Sequence, residues 1–198
     1  MMEVFECIKT RRSIRAYKDQ MISQKDLEII LEAGRYAPSG ANNQTTHFIV
    51  IQNKEVLNHL KDLVKEAFAN MEVKDNMYVS MIKAIKASKN GNYTFYYNAP
   101  VLIITANKKD YSNALADCAC ALENMMIMAN ECNLGSCWIN QLKWLNENDK
   151  IVEYLKTLGL KEDEKVWGSL SLGYPKNSDE FSNRQPLERK GNEVTYVK

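Results

Sequence analysis

Three arginines stand close together near the start of the chain and are the residues best suited to chemistry with an anion. The chain has 198 residues and only six arginines against twenty lysines, yet Arg11, Arg12 and Arg15 fall within five positions. The planar guanidinium of arginine grips a phosphate or carboxylate with paired hydrogen bonds, whereas lysine serves mainly as solvating charge. The cluster therefore favours an anion site over the alternative of a solvated helix end whose cations complement the helix dipole.

Side chains that carry catalysis on their own are scarce in this sequence. There is no Gly-x-Ser-x-Gly turn, no His-Glu-x-x-His motif, no Walker phosphate loop and no Gly-x-Gly-x-x-Gly fingerprint. The two histidines, His47 and His59, are predicted to be structural or surface residues. A protein with phosphate-gripping arginines and no resident nucleophile is expected to borrow its reactivity from a phosphorylated cofactor. We therefore predict no catalytic side chain.

The five cysteines do not form a metal or disulfide pattern. Their number is odd, no Cys-x-x-Cys spacing occurs, and zinc would need further ligands at finger-like spacing. Cys118 and Cys120 lie two apart within a helical pattern and should point to different faces of the helix. The sequence predicts free, buried thiols in a reducing cytoplasm and no bound metal.

Charge and hydropathy exclude several classes of protein. Twenty-six basic residues against 25 acidic ones leave a net charge of +1, which disfavours a dedicated nucleic-acid binder. The longest apolar runs are too short to cross a bilayer, and the first residues do not resemble a signal peptide. With 45% apolar and 26% charged residues, the composition predicts one soluble, cytoplasmic domain over residues 1–198, without linker or repeat.

Apolar periodicity predicts helices that alternate with short strands, a pattern typical of an α+β or mixed α/β domain. Helices are predicted over residues 3–11, from the capping position Ser23 to before Pro38, and over 54–69, about 70–89, 112–132 and 147–158. Strands are predicted over residues 47–51, 101–105, 136–139, 166–172 and 193–197.

Two of these elements bear on assembly. The 112–132 helix carries apolar and small residues, Leu115 among them, around most of its circumference, which indicates burial on several sides and a subunit interface. Gly135 is expected to end this helix. The strand at 193–197 stands apart, behind the polar stretch 176–192. It is expected either to pair with a second subunit or to form an edge strand of its own sheet.

Several motifs, in order along nearly the whole chain, closely resemble those of the nitroreductase family of FMN flavoproteins. The motifs are Arg-Arg-Ser-Ile-Arg-Ala-Tyr at 11–17, Ala-Pro-Ser-Gly-Ala-Asn-Asn-Gln at 37–44, Asn-Ala-Pro at 98–100, the helix near Asp117, Leu-Gly-Ser-Cys-Trp-Ile at 134–139, Leu-Gly-Tyr-Pro at 172–175 and Arg-Lys at 189–190. Two departures stand out. Thr45 and Thr46 replace the proline and aromatic residue that commonly follow this Asn-x-Gln motif, and the stretch 70–98, which helps to shape the substrate pocket in this family, matches nothing.

The resemblance implies an FMN site in the interface of a homodimer. Residues 11–15, called the arginine segment, would hold the phosphate and the pyrimidine edge of the ring. The turn at 38–44 would come from the other subunit. Without the arginine cluster, the sequence of that turn would predict only an ordinary turn at the end of a helix. The 135–136 pair would bring a backbone amide near the redox-active edge, and the 189–190 pair would reach the phosphate. The implied cofactor-binding residues are Arg11, Arg12, Ser13, Arg15, Pro38, Ser39, Gly40, Asn42, Gln44, Gly135, Ser136, Arg189 and Lys190.

The resemblance also implies a fold and an activity. The fold would be α+β, with a central, mostly antiparallel sheet flanked by helices and a C-terminal strand that reaches the partner subunit. The activity would be transfer of hydride from NADH or NADPH through FMN to a nitroaromatic or quinone, with ping-pong kinetics. The alternatives are a flavin-binding or redox-sensing protein with little turnover, a relative that acts on a halogenated aromatic, and an anion-binding module without a cofactor.

Overall fold

A four-stranded sheet with the order β1-β2-β4-β3 lies at the centre of the fold. The computed structural model describes residues 3–177 and 185–198. The strands are β1 His47–Ile51, β2 Val101–Lys108, β3 Gly135–Ile139 and β4 Glu164–Gly173. All three pairings are antiparallel. This confirms the α+β prediction and decides against the mixed α/β alternative.

Helices cover both faces of the sheet. They are α1 Val4–Thr10, α2 Gln24–Arg35, α3 Lys54–Ala69, α4 Val79–Lys89, α5 Ala114–Glu131, α6 Gln141–Trp144 and α7 Asp149–Thr157, with a short 3-10 turn at Gly40–Asn42. One hydrophobic core lies between the sheet and α2 and α5, and the other lies between the sheet and α3, α4 and α7. The central strand β2 is buried on both faces, which explains its apolar run at residues 101–104, whereas the buried part of β4 alternates leucine with serine.

The N-terminus of α2 follows the predicted capping pattern. The Asp26 backbone N–H donates to Ser23 Oγ at 3.1 Å, and the Ser23 hydroxyl donates to Asp26 Oδ2 at 2.7 Å. This pair satisfies one of the backbone N–H groups that a helix start leaves free. At its other end, α2 stops at Arg35, ahead of Pro38 as predicted.

Two local predictions are wrong. Gly135 does not end α5: the left-handed position belongs to Asn133, with φ 57°, and Gly135 is the first residue of β3. The Leu134 and Asn133 amides donate back to the carbonyls of Ala129 and Asn130, the pattern of a Schellman end in which asparagine replaces glycine. Residues 71–78 are not helical, and α4 begins only at residue 79.

Leu115 and the C-terminal segment also differ from expectation. Leu115 is 41% exposed and does not line the core of this chain. Residues 193–197 are exposed and form no strand in the described part of the chain, so an edge strand on the chain's own sheet is ruled out. Pairing with a second subunit stays a prediction. Residues 1, 2 and 178–184 of the predicted single domain lie outside the described residues.

Within residues 3–177 and 185–198, neither a helix that could span a membrane nor a cluster of metal-ligating side chains is found. None of the helices there has the length and apolar character needed to cross a membrane. No group of three or more histidine, cysteine or carboxylate side chains is placed so that it could hold a metal ion in the same ranges. The cysteines form no disulfide among the described residues; Cys118 is buried and Cys120 exposed, so the prediction that they face different sides is confirmed.

Candidate functional site

The arginine segment lies along the free edge of β3. The Ile14 backbone N–H donates to the Ser136 carbonyl at 2.9 Å, and Ser13 and Ser136 form a parallel bridge. Ile14 is buried, while Ser13 and Arg15 on either side of it are exposed. This is the alternation of an extended segment, in which successive side chains point to opposite faces. The sheet edge therefore presents Ser13 and Arg15 together on one outward side.

Gly135 makes this close approach possible. A Cβ atom on Gly135 would lie 2.8 Å from Ile14 Cγ2 and 2.9 Å from Ile14 Cβ. Any larger residue would push the arginine segment away from β3. The absence of a side chain at Gly135 thus allows the arginine segment to pack directly against β3. Its expected role in close approach to the flavin stays a prediction.

The three clustered arginines have different neighbours. The Arg12 guanidinium donates to the backbone carbonyls of Lys9 at 3.1 Å, Arg11 at 2.8 Å, and Gln185. Arg12 therefore ties the start of the C-terminal segment to the end of α1. Arg11 lies 3.5 Å from Glu123 in an exposed ion pair, an interaction worth about 0–1 kcal/mol. Arg11 can leave that partner readily for a phosphate dianion.

Arg15 lies beside Cys137 and Tyr97, which the sequence analysis did not identify as site residues. Its Nη1 donates to the Ser13 carbonyl at 3.2 Å. Burial raises the pKa of the Cys137 thiol, and the positive charge of Arg15 and a hydrogen bond with Ser13 act in the opposite direction. Tyr97 also faces Arg15, and its backbone is left-handed, with φ 57°. Such conformations in residues other than glycine collect at functional sites.

The turn at residues 39–44 is the second half of the predicted site. Ala41, Asn42 and Gln44 all have left-handed backbones, with φ of 51°, 55° and 51°. Ser39 Oγ accepts the Gln44 backbone N–H at 3.0 Å, and the Gln44 side-chain amide donates to Asn42 Oδ1 at 3.0 Å. Three strained residues within four positions show that this turn is held in a particular conformation by its surroundings.

Gly40 is the point at which the rest of the chain holds this turn. Its N–H donates to Asp117 Oδ1 at 3.1 Å, and its carbonyl accepts the Tyr111 hydroxyl at 3.2 Å. A Cβ atom at Gly40 would collide with the Asn113 side-chain amide and the Tyr111 hydroxyl. Sequence reasoning missed Asp117 and Tyr111 as site residues. The available signal for Asp117 was an aspartate among the small and apolar residues at the start of α5.

A cleft of about 170 Å³ opens beside the turn. Its lining includes Pro38, Ser39, Gln44, Thr46 and Asp117. Thr46 therefore lies where the family commonly has an aromatic residue. The adjacent Thr45 hydroxyl is buried and has no hydrogen-bond partner in the described part of the chain. Of the residues that depart from the family pattern, Thr46 thus forms part of the wall of this cleft.

The two halves of the predicted site lie at opposite ends of α5. Asp117, near the start of α5, holds the turn, while Asn130, near its end, donates to the Cys7 carbonyl and to Thr10 Oγ1 at 3.0 Å each. Thirteen residues of helix at 1.5 Å each separate these contacts by about 20 Å. The structure therefore brings residues 11–15 together with 135–136 and keeps 38–44 apart from them.

The third predicted group, Arg189 and Lys190, is not brought to the arginine segment. Both residues are exposed, and Arg189 Nε donates only to the nearby Leu187 carbonyl among the described residues. The connection to the cluster is indirect, because Arg12 donates to the carbonyl of Gln185 a few residues earlier. Their expected contact with a phosphate stays a prediction.

An antiparallel sheet flanked by helices, with arginines beside one edge and a strained turn held at the start of α5, defines an α+β protein with a candidate anion site at the sheet edge. The model of the Nitroreductase family matches residues 8–174. The chain belongs to the nitroreductase family.

Known proteins resemble the chain over its whole length. A nitroreductase with bound FMN from Bacteroides fragilis NCTC 9343 is 38% identical, with a TM-score of 0.84 and complete coverage of both chains. A nitroreductase with bound FMN from Desulfitobacterium hafniense DCB-2 is 25% identical, with a TM-score of 0.82 and the same coverage. A relative from Archaeoglobus fulgidus, named "Putative NADH dehydrogenase/NAD(P)H nitroreductase", is 32% identical over 91% of this chain and 90% of its own length.

Proposed function

We propose that this protein is an FMN-dependent oxidoreductase that uses NADH or NADPH to reduce an electron-poor acceptor such as a nitroaromatic or quinone. One observation carries the proposal. Ser13 and Arg15 face outward at the β3 edge, and the nearby Arg11 is held only by a partly exposed ion pair with Glu123 at 3.5 Å. Guanidinium and hydroxyl donors suit a phosphate and the carbonyl-rich pyrimidine edge of FMN. The residues present therefore fit the cofactor that the solved relatives contain.

The chain's own residues would bind and orient the cofactor. Arg11 and Ser13 would neutralise the phosphate and donate to it, and Arg15 would face the pyrimidine edge, where a cation favours the negative charge of the reduced ring. The turn at 38–44 would come from the partner subunit. The proposed contacts are those predicted from the sequence: Arg11, Arg12, Ser13, Arg15, Pro38, Ser39, Gly40, Asn42, Gln44, Gly135, Ser136, Arg189 and Lys190.

FMN, when bound, supplies the hydride transfer between pyridine nucleotide and acceptor, so the protein needs no nucleophile of its own. Tyr97 lies near Arg15, and Tyr93 lies near Tyr97, in the stretch that matches no family motif. The Tyr93 hydroxyl accepts a hydrogen bond from Gln141 Nε2 at 2.7 Å. These aromatic residues are proposed to shape the place where nucleotide and acceptor bind in turn.

A homodimer would complete the site. Most of one face of α5 is apolar or small and lies partly open in the single chain: Ala116, Ala119, Cys120 and Ile127 follow the helical repeat along this side, with the charged Glu123 between them. We call this set of residues the α5 stripe. If a two-fold axis crosses the stripe, the two copies of α5 run antiparallel, and the turn of one subunit comes near the arginine segment of the other.

The C-terminal segment supports the same assembly. Val194, Tyr196 and Val197 are 66%, 80% and 94% exposed, and apolar side chains of this kind usually find cover. Residues 193–197 are proposed to reach the partner subunit as a strand. The proposed setting is the cytoplasm, where the five free thiols would stay reduced.

Steady-state kinetics of the FMN-loaded protein test this function. Oxidation of NADH and of NADPH is followed with a quinone and with a nitroaromatic, each at several concentrations of both substrates. Sustained turnover with parallel double-reciprocal lines supports one pocket used in turn. Intersecting lines would reject that shared pocket. Tight FMN binding without turnover would point to a flavin-binding or redox-sensing protein instead.

A further inference from the structure

Asp117 is a buried carboxylate whose contacts are not explained by the stability of its own helix. It lies in the first turn of α5 and is 5% exposed. Acidic side chains at such positions commonly serve the free N–H groups of their own helix. Here Asp117 Oδ1 instead accepts the N–H of Gly40, 77 residues away, and Oδ2 is buried without a hydrogen-bond partner in the described residues. Burying a half-satisfied carboxylate is unfavourable.

The bond to Gly40 acts on the most strained part of the chain. Gly40 immediately precedes Ala41 and Asn42, both left-handed, and Gln44 follows with the same strain. Strained backbone persists only where several contacts determine it together. Asp117 fixes the N–H of Gly40 and Tyr111 fixes its carbonyl, so the orientation of this residue is set from the start of α5.

We propose that Asp117 is a positioning residue of the cofactor site. By accepting the Gly40 N–H, it holds residues 39–44 in the conformation that contacts the FMN of the partner subunit. Asp117 itself does not contact the cofactor in this proposal; it acts through the turn. The proposal rests on the proposed function and adds a residue that the family motifs at 11–15 and 38–44 do not contain.

Titration of the apoprotein with FMN tests the role of Asp117. Asp117→Ala is expected to raise the Kd for FMN at least tenfold, because the turn loses its acceptor. Asp117→Asn is expected to stay within threefold of the wild type, because its side-chain oxygen still accepts the Gly40 N–H. Asp110→Ala removes an exposed acid from the same region and is expected to change nothing.

A double-mutant cycle shows whether Asp117 acts through Gly40. Gly40→Ala is expected to weaken FMN binding by a similar factor, since its Cβ collides with Asn113 and Tyr111. The Gly40→Ala/Asp117→Ala pair should then lose no more than the larger single loss, because both changes release the same turn. Additive losses would show two unrelated effects and would overturn the proposal.

Hydrogen exchange gives a second readout that does not need the cofactor. The Gly40 amide of the wild-type apoprotein is expected to exchange at least tenfold more slowly than an unprotected amide, and to keep this protection in Asp117→Asn. Unprotected exchange in the wild type would overturn the proposal, even if Asp117→Ala fails to fold. If the wild type takes up no FMN, the proposed function fails. If the wild type and Asp117→Ala bind FMN equally tightly, only the positioning role fails.

Discussion

At the scale of single residues, the two neighbours of Ile14 carry the candidate site. Ser13 and Arg15 point outward because Ile14 packs inward against β3. The sequence showed that these residue types were clustered. It did not show that the Arg12 guanidinium would donate to three backbone carbonyls, because one of these, the carbonyl of Gln185, is distant in sequence.

Arg15→Leu is expected to raise the Kd for FMN by about 10- to 100-fold, since a charge-assisted hydrogen bond contributes about 1.5–3 kcal/mol. Fluorescence titration of the apoprotein measures this change. Lys18→Met removes an exposed cation three residues further on and serves as the control. Equal losses in both variants would indicate a general effect of charge rather than a contact by Arg15.

The stability of the fold is expected to depend on the ionisation of the Glu164 carboxyl. Burial raises the pKa of this carboxyl, but the 2.8 Å contact with His47 and the bond from the Lys161 N–H outweigh burial and lower the pKa overall. A lowered pKa means that the stabilisation is complete above the unfolded value, about 4.3. It is lost as the pH falls through the lower, folded value.

Urea unfolding between pH 7 and pH 3 measures this effect. The free energy of unfolding of the wild type should fall more steeply below about pH 4.3 than that of Glu164→Gln. Glu162→Gln, a change at an exposed position two residues away, should follow the wild type. Identical acid profiles for the wild type and Glu164→Gln would contradict the assignment.

At the scale of elements, the sheet edge and α5 place the site. Periodicity located the strands and helices because apolar spacing reports which face is buried. It misjudged the end of α5, since Asn133 adopts the left-handed position that was expected of Gly135. It also missed that Gly135 is needed for contact with Ile14, which is a long-range contact and leaves no local pattern.

Gly135→Ala is expected to destabilise the protein by about 1–3 kcal/mol, because the new methyl group overlaps Ile14. Urea unfolding measures the change. The double variant Ile14→Ala/Gly135→Ala should lose less than the sum of the two single losses, since the smaller side chain removes the overlap. Strict additivity would contradict a direct clash between these residues.

At the scale of the whole molecule, the single chain holds the turn against Asp117 near the start of α5 and the arginine segment farther along that helix, where Arg11 pairs with Glu123. Sequence motifs list both halves but cannot say which subunit supplies each, because spacing along the chain carries no distance in space. In the proposed dimer, the partly exposed α5 stripe is the surface on which a second copy would complete the site.

Cys120→Glu places a charge in the middle of the stripe and is expected to abolish the dimer and FMN binding together. Size-exclusion chromatography with light scattering gives the mass, and absorbance gives the bound flavin. Ser80→Glu, a similar change at an exposed position of α4, should leave both unchanged. A monomeric Cys120→Glu variant that still binds FMN as the wild type does would contradict a shared site.

The visible absorption spectrum of the purified protein, with the released chromophore identified by mass, tests the central claim most directly. We expect flavin absorption bands, a chromophore with the mass of FMN, and one FMN per chain, hence two per dimer. A colourless protein that also takes up no added FMN would contradict the account and would leave the arginine segment as an anion site of another purpose.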